Sequence, residues 1–400
     1  MLPFVLLLVV PNLGGYALWD PDEARHAEVA REMFTASDWR GWVLPHLNAK
    51  PYHDKPILFY WMTSAAYAAS GVHEASARAV SAIAMLATVL AVYFWSAARS
   101  GVGNGLCAAA VLATSIEFLA LGRYASLDML FTLWATLGVL AGERWSGTGR
   151  ERWAVGAGIA MGLGLLTKGL AAPLLVGGAT LGLAISRRIA PAQVARAVIC
   201  IGISAFAVAA PWYITVAVLD WSYLREFLFQ HHFGRFLGSA RIALHPKPAW
   251  FYVPVLIGGF MPWTAALPAA ARDAWRRRHP DGLFCLAWAA SILLFFSVSK
   301  GKLGTYILPS LPPLALVVGP YLSAWLRERP LDPRAARWLA AGWWTVIGLC
   351  VITVPVLLVL RAAGISFVSV STTLASSVLI LPALVTAGLL RQDRLEYVPL

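Results

Sequence analysis

The chain has 400 residues, 59% of them hydrophobic and only 13% charged, with a mean hydropathy of +0.68. Soluble domains carry about 25% charged and about 45–50% apolar residues, so a cytosolic enzyme, a secreted disulfide scaffold, a disordered chain and a transmembrane barrel are all excluded. The net charge of +12 does not indicate nucleic acid, because no basic block exceeds Arg276-Arg277-Arg278 and the charges sit in short gaps between apolar runs, as the positive-inside rule produces.

With roughly 20 apolar residues needed per crossing, the pattern predicts an all-α polytopic membrane protein of twelve transmembrane helices forming a single membrane domain over 1–400. The runs fall near 2–18, 74–98, 104–121, 128–145, 153–167, 170–186, 194–219, 249–271, 282–298, 304–325, 337–360 and 367–390. The first run lacks a basic leader and a small-residue cleavage site, so it reads as a membrane helix rather than a signal. Cys107, Cys200, Cys285 and Cys350 fall in different runs and read as small core hydrophobes, not a disulfide set.

Placing the N-terminus inside puts Arg99, Arg144, Arg187, Arg188 and Arg276–Arg278 in inner loops and leaves the short outer loops poor in arginine, the orientation that the rule favours. Seven of the eight histidines then lie outside, as do Lys50, Lys55, Lys168, Lys300 and Lys302. Groups able to titrate or to bind anions are segregated to one face.

The first outer loop, 19–73, is predicted to hold two interfacial helices. Asp20-Pro21-Asp22-Glu23 has the form of a helix start, with Asp20 as cap, Pro21 at the first position and Glu23 completing a capping box. The helix runs to Phe34, with Ala27, Ala30, Met33 and Phe34 on one face and Arg25, Glu28 and Glu32 opposite, as suits the membrane surface. A polar connection reaches Tyr52-His53-Asp54-Lys55-Pro56, and a second helix is expected over 57–70. A second outer loop, 220–248, carries His231, His232, Arg235, Arg241 and His245 and suits a lid over a lipid substrate.

The motifs in these segments resemble a known family. Asp22-Glu23-Ala24-Arg25, the Tyr52 to Pro56 segment, Arg123-Tyr124-Ala125-Ser126-Leu127-Asp128, Leu166-Thr167-Lys168-Gly169, Pro211-Trp212-Tyr213 and Lys300 to Pro313 are similar, in order, to the bacterial glycosyltransferases that use polyprenyl-phosphate sugars. This is the protein O-mannosyltransferase-like family that includes the lipid A aminoarabinose transferases (glycosyltransferase family 39/83 type). The resemblance covers most of 15–325 and implies a glycosyltransferase C-type fold in a bacterial cytoplasmic membrane, without the soluble C-terminal domain of some members. It also implies transfer of a sugar, with inversion, from a polyprenyl-phosphate donor to lipid A, a lipid-linked glycan or a protein at the outer face. A non-enzymatic lipid transporter or flippase has similar hydropathy, but would place ionisable groups near the bilayer midplane and show inverted repeats.

Such a transfer needs cations where the phosphate departs and, for a hydroxyl acceptor, a carboxylate to take its proton. The resemblance makes Asp22 and Glu23 the leading carboxylates, although acids in a first helical turn are stabilised by the helix dipole whatever their role. Asp128, entering a membrane helix, is functional by default, with Arg123 as its nearest cation. Lys55 is the chief phosphate contact, with Arg25, Tyr52, Arg123, Lys168, Lys300, Lys302 and Tyr306 as further substrate ligands; snorkelling accounts for the lysines otherwise. His26 stands where the family commonly carries tyrosine. No cofactor is required, and a divalent metal ion, if bound, would take Asp54 with His231 or His232.

Overall fold

In hydrocarbon every backbone N–H and C=O must find its partner within the protein, and a helix supplies it locally. The computed structural model describes residues 1–19, 21–234 and 247–328, with Trp344 and Gly348. The runs expected at 337–360 and 367–390, and the part of the second outer loop holding Arg235, Arg241 and His245, lie outside the described residues.

Helix α1 (Leu2–Val9), α2 (Asp22–Phe34), strands β1 (His46–Leu47) and β2 (Lys50–Pro51), and α3 (Leu58–Ser70) precede α4 (Glu74–Ser100). There follow α5 (Val102–Ala113), α6 (Ile116–Gly122), α7 (Leu127–Thr148), α8 (Glu151–Lys168), α9 (Gly178–Ser186), α10 (Pro191–Leu219) and α11 (Trp221–Arg225). After the second outer loop come α12 (Tyr252–Gly259), α13 (Leu267–Arg276), α14 (Pro280–Val298), a 3-10 turn at Gly304–Ser310, and α15 (Leu311–Glu328). The strands form a small antiparallel ribbon pairing His46 with Pro51, so the class is all-α.

Among the described residues, Glu74–Ser100, Pro191–Leu219, Pro280–Val298 and Gly304–Leu326 are long and apolar enough to cross alone. Two further runs are broken: Val102–Ala113 meets Ile116–Gly122 at 71°, and Ala249–Gly259 meets Trp263–Arg276 at 113°. The breaks satisfy each other. Ile116 N–H donates to the Met261 carbonyl at 3.1 Å, and the Trp263 indole donates to the Thr114 hydroxyl at 2.9 Å. Freed backbone groups at membrane depth are tolerated where the protein re-pairs them in this way.

The run expected at 2–18 is helical only over Leu2–Val9. Eight residues rise about 12 Å, well short of a hydrocarbon core of roughly 30 Å; Pro11, Gly14 and Gly15 interrupt the remainder.

Helix α8 lies against α7 and α10. A Cβ on Gly158 would come 2.5 Å from the Ile201 carbonyl, and one on Gly162 would come 2.8 Å from that of Ala205. Small residues spaced by four thus let two membrane helices touch backbone to backbone. Because Asp128 lies in the first turn of α7 and α8 returns to Lys168, both residues stand at one end of the pair. At the other end the buried Glu143 carboxylate pairs with Arg99 and with Arg187 (2.7 Å), while Arg99 also reaches Asp281 at 2.6 Å. That network joins α4, α7, α9 and α14.

Candidate active site

Asp22 and Glu23 part company at the start of α2. Pro21 occupies the cap position without a side-chain cap hydrogen bond, and Asp20, the expected cap of the box, lies outside the described residues. The Asp22 carboxylate is 58% exposed and lies 3.3 Å from Arg25 Nη1. Glu28, the other partner available to Arg25, pairs instead with Arg31 at 2.6 Å.

Glu23 turns inward and is fully buried. Its carboxylate accepts from Arg78 Nε (2.7 Å) and Nη2 (2.9 Å), from Ala125 N–H (2.8 Å) and from Trp19 N–H (2.9 Å). Arg78 also donates to the carbonyls of Leu13, Tyr16 and Ala17 at 2.8, 2.9 and 3.0 Å, and lies 3.7 Å from the Tyr16 ring centroid. Four donors thus engage the two oxygens of Glu23, which stands in a buried ion pair rather than on an open surface. Arg78 was missed in the sequence, although an arginine a few residues into an apolar run is itself the signal.

Arg123 is likewise engaged by the protein itself. Its Nη1 donates to the carbonyls of Leu8 (2.9 Å) and Val9 (2.7 Å), and Nη2 to that of Pro11 (2.7 Å). These carbonyls lie in the last turn of α1 and just past it, where helix ends attract a cation with or without a substrate. Nor is Arg123 the partner of Asp128.

That partner is Lys168, the last residue of α8. Asp128 lies in the first turn of α7, its N–H donating to the Ser126 cap at 3.1 Å, and Thr305 stands near its carboxylate. Lys168 Nζ lies 4.5 Å from the Tyr306 ring centroid and 5.4 Å from that of Phe131. The Gly304–Ser310 turn, α7 and α8 therefore meet at one carboxylate–ammonium pair. A second pair lies within range of its charge. Lys55 Nζ is 3.0 Å from Asp54 Oδ1, the Tyr52 hydroxyl donates to Asp54 Oδ2 at 3.3 Å, and the Lys55 charge acts on Asp128.

His26 is buried within range of the charges of both pairs. Its Nδ1 lies 3.1 Å from the Tyr60 hydroxyl. Burial, reinforced by the Lys55 charge, pushes the imidazole pKa down to about 3, so the ring is neutral. Burial, with the Asp54 charge next, raises the Tyr52 phenol above its usual range, so it serves as a hydrogen-bond donor.

Lys300 is exposed on its turn. Lys302 is buried and donates to the carbonyls of Lys247 (3.2 Å) and Ser299, so its ammonium is engaged by the backbone of its own turn and of the preceding loop. Tyr306 of the same motif does reach the centre. Pro211-Trp212-Tyr213 is a docking element: Trp212 donates to the Val43 carbonyl and Tyr213 to that of Leu165, each at 3.0 Å. The side chains of His231 and His232 lie outside the described ones, Asp54 is engaged by Lys55 and Tyr52, and the described residues hold no metal-ligating trio.

Known proteins are similar to this chain. Residues 54–214 match the family described as dolichyl-phosphate-mannose-protein mannosyltransferase. The undecaprenyl phosphate-alpha-4-amino-4-deoxy-L-arabinose arabinosyl transferase of Edwardsiella ictaluri is 35% identical over 331 residues, 80% of this chain and 58% of that protein. Its counterpart in Pectobacterium atrosepticum is 35% identical over 363 residues, covering 87% and 63%. The chain thus spans about six-tenths of the length of these curated relatives. ArnT from Cupriavidus metallidurans, solved bound to undecaprenyl phosphate, matches with a TM-score of 0.80 at 25% identity over 99% of this chain and 72% of that one. Motif order, identity and fold agree: over the length they share, the chain is similar to the aminoarabinose transferases, and residues 54–214 match the protein mannosyltransferase family.

Proposed function

We propose that this chain transfers a glycosyl group from a polyprenyl-phosphate-linked sugar to an acceptor at the outer face of the bacterial cytoplasmic membrane, with inversion at the anomeric carbon. The observation that carries the reading is the meeting of the Asp128–Lys168 pair, Thr305, Tyr306 and the Asp54–Lys55 pair. Relatives named for an undecaprenyl-phosphate aminoarabinose donor support an amino-pentose carrier lipid as the donor and a lipid, with lipid A foremost, as the acceptor.

In the reaction the bond from the anomeric carbon to the carrier phosphate breaks as the acceptor oxygen attacks from the opposite face. Charge accumulates on the departing phosphate, and preorganised cations stabilise it. Lys55 and Lys168 supply them, each held by a carboxylate until the stronger anion enters. Tyr52 and Tyr306 border the same space and add hydroxyl donors. A hydroxyl acceptor must lose a proton, and Asp22, the exposed member of its pair, takes it; a phosphate acceptor needs no strong base.

Reconstitution in liposomes with undecaprenyl-phosphate aminoarabinose and lipid A tests the reading. The expected result is lipid A gaining one amino-pentose by mass spectrometry, and a Lys55→Ala variant slowed by about 100-fold or more. Translocation of the donor across the bilayer with no transfer product would favour a transporter and overturn the proposal.

A further inference from the structure

We propose that His53 and Tyr223 form a latch that positions Lys55 for the donor phosphate, an inference that rests on the function proposed above. Lys55 sits in a short irregular stretch between β2 and α3, whose backbone groups need partners from elsewhere. One arrives from the second outer loop: the Tyr223 hydroxyl donates to the Lys55 carbonyl at 2.5 Å. Tyr223 is buried, with the Trp212 ring edge-on at 5.7 Å and the Phe227 ring at 6.3 Å, so its hydroxyl has one place to point.

His53 closes the circuit. Its ring centroid lies 4.9 Å from that of Tyr223, Nδ1 lies 2.8 Å from Glu226 Oε2, and Nε2 lies 3.3 Å from Asp220 Oδ2. Asp220 also caps α11, accepting from Ser222 N–H at 2.9 Å and Tyr223 N–H at 3.3 Å. The carboxylate that starts the helix bearing Tyr223 therefore also faces the histidine two residues before Lys55. Holding two loops together would account for the His53 contacts alone. The grip on the Lys55 carbonyl goes further, because it fixes the point from which a long, flexible side chain departs, and reacting groups tolerate little misplacement.

The test is equilibrium binding of undecaprenyl phosphate to the purified full chain in detergent, which requires neither acceptor nor chemistry. His53→Phe keeps a ring against Tyr223 and removes both nitrogens; Tyr223→Phe removes only the hydroxyl. Each is expected to weaken binding about tenfold with an unchanged melting temperature, and His53→Gln, which keeps one donor, to recover part of the loss. In a Lys55→Ala background His53→Phe should cause no further loss, since a residue acting through Lys55 couples fully to it. Should His53→Phe fail to fold, the same cycle run with Tyr223→Phe reads the coupling. Wild-type affinity in both variants, or an equal loss with and without Lys55, overturns the latch. A wild-type chain that does not bind undecaprenyl phosphate overturns the proposed function instead, and the latch falls with it.

Discussion

Successive residues on a helix point about 100° apart, and at the start of α2 that turn separates two carboxylates into unlike environments. Asp22 faces outward beside Arg25, while Glu23 is buried under Arg78 and two backbone donors. Their variants should diverge accordingly. Asp22→Asn should slow transfer to a hydroxyl acceptor by about 10²–10⁴ and leave the melting temperature unchanged. Glu23→Gln leaves the buried Arg78 charge uncompensated and should cost about 3–5 kcal/mol, read as lost yield and a lowered melting temperature before any assay. Equal behaviour of the two variants would sink the division of roles. The acidic pair was legible as a motif. Which member is buried was not, because the deciding arginine lies 55 positions away along the chain.

At the scale of elements, α8 and α10 meet through Gly158 and Gly162, with no room for a Cβ at either. Gly158→Leu should therefore lower yield and melting temperature sharply, whereas Gly202→Leu, where nothing lies within 4 Å of the added atom, should be tolerated; matched losses would rule out the close approach. Helix α2 makes a second prediction. Its apolar face packs on α3, with the Ser64 and Tyr67 hydroxyls donating to the Ala30 and Ala27 carbonyls at 2.9 and 3.2 Å, rather than lying free on the membrane surface. His26 is buried in that contact, its pKa lowered from 6.5 to about 3. The folded state therefore resists protonating it, so stability is complete above about pH 6.5 and declines as the pH falls toward 3. Melting temperatures from pH 7 to 4 should drop for the wild type and flatten for His26→Gln. The hydrophobic face of α2 was readable from its period, but its partner was not, because periodicity marks the side that must be covered and is silent on what covers it.

For the whole molecule, orientation and architecture separate cleanly. Arginines gather at one membrane side and the lysines at the other, which predicts that, in a background with every cysteine replaced by serine, Lys300→Cys is labelled by an impermeant thiol reagent in intact cells and Arg278→Cys only after permeabilisation. The reverse pattern would invert the topology. At the arginine-rich end, Glu143 joins Arg99 and Arg187; at the other, Asp128 and Lys168 come together because antiparallel α7 and α8 bring their outer ends level. The sequence by itself determined which segments are apolar, where along the chain the titratable groups collect, and the motifs that carry the family resemblance. Those follow from transfer energies and local charge, which each residue carries with it. Only the tertiary structure decided that α5–α6 and α12–α13 break where they can re-pair each other's backbone, that Arg123 and Lys302 hold carbonyls, and that Thr305 stands near Asp128. Those choices depend on which chain ends meet in space, and hydropathy does not encode the meeting.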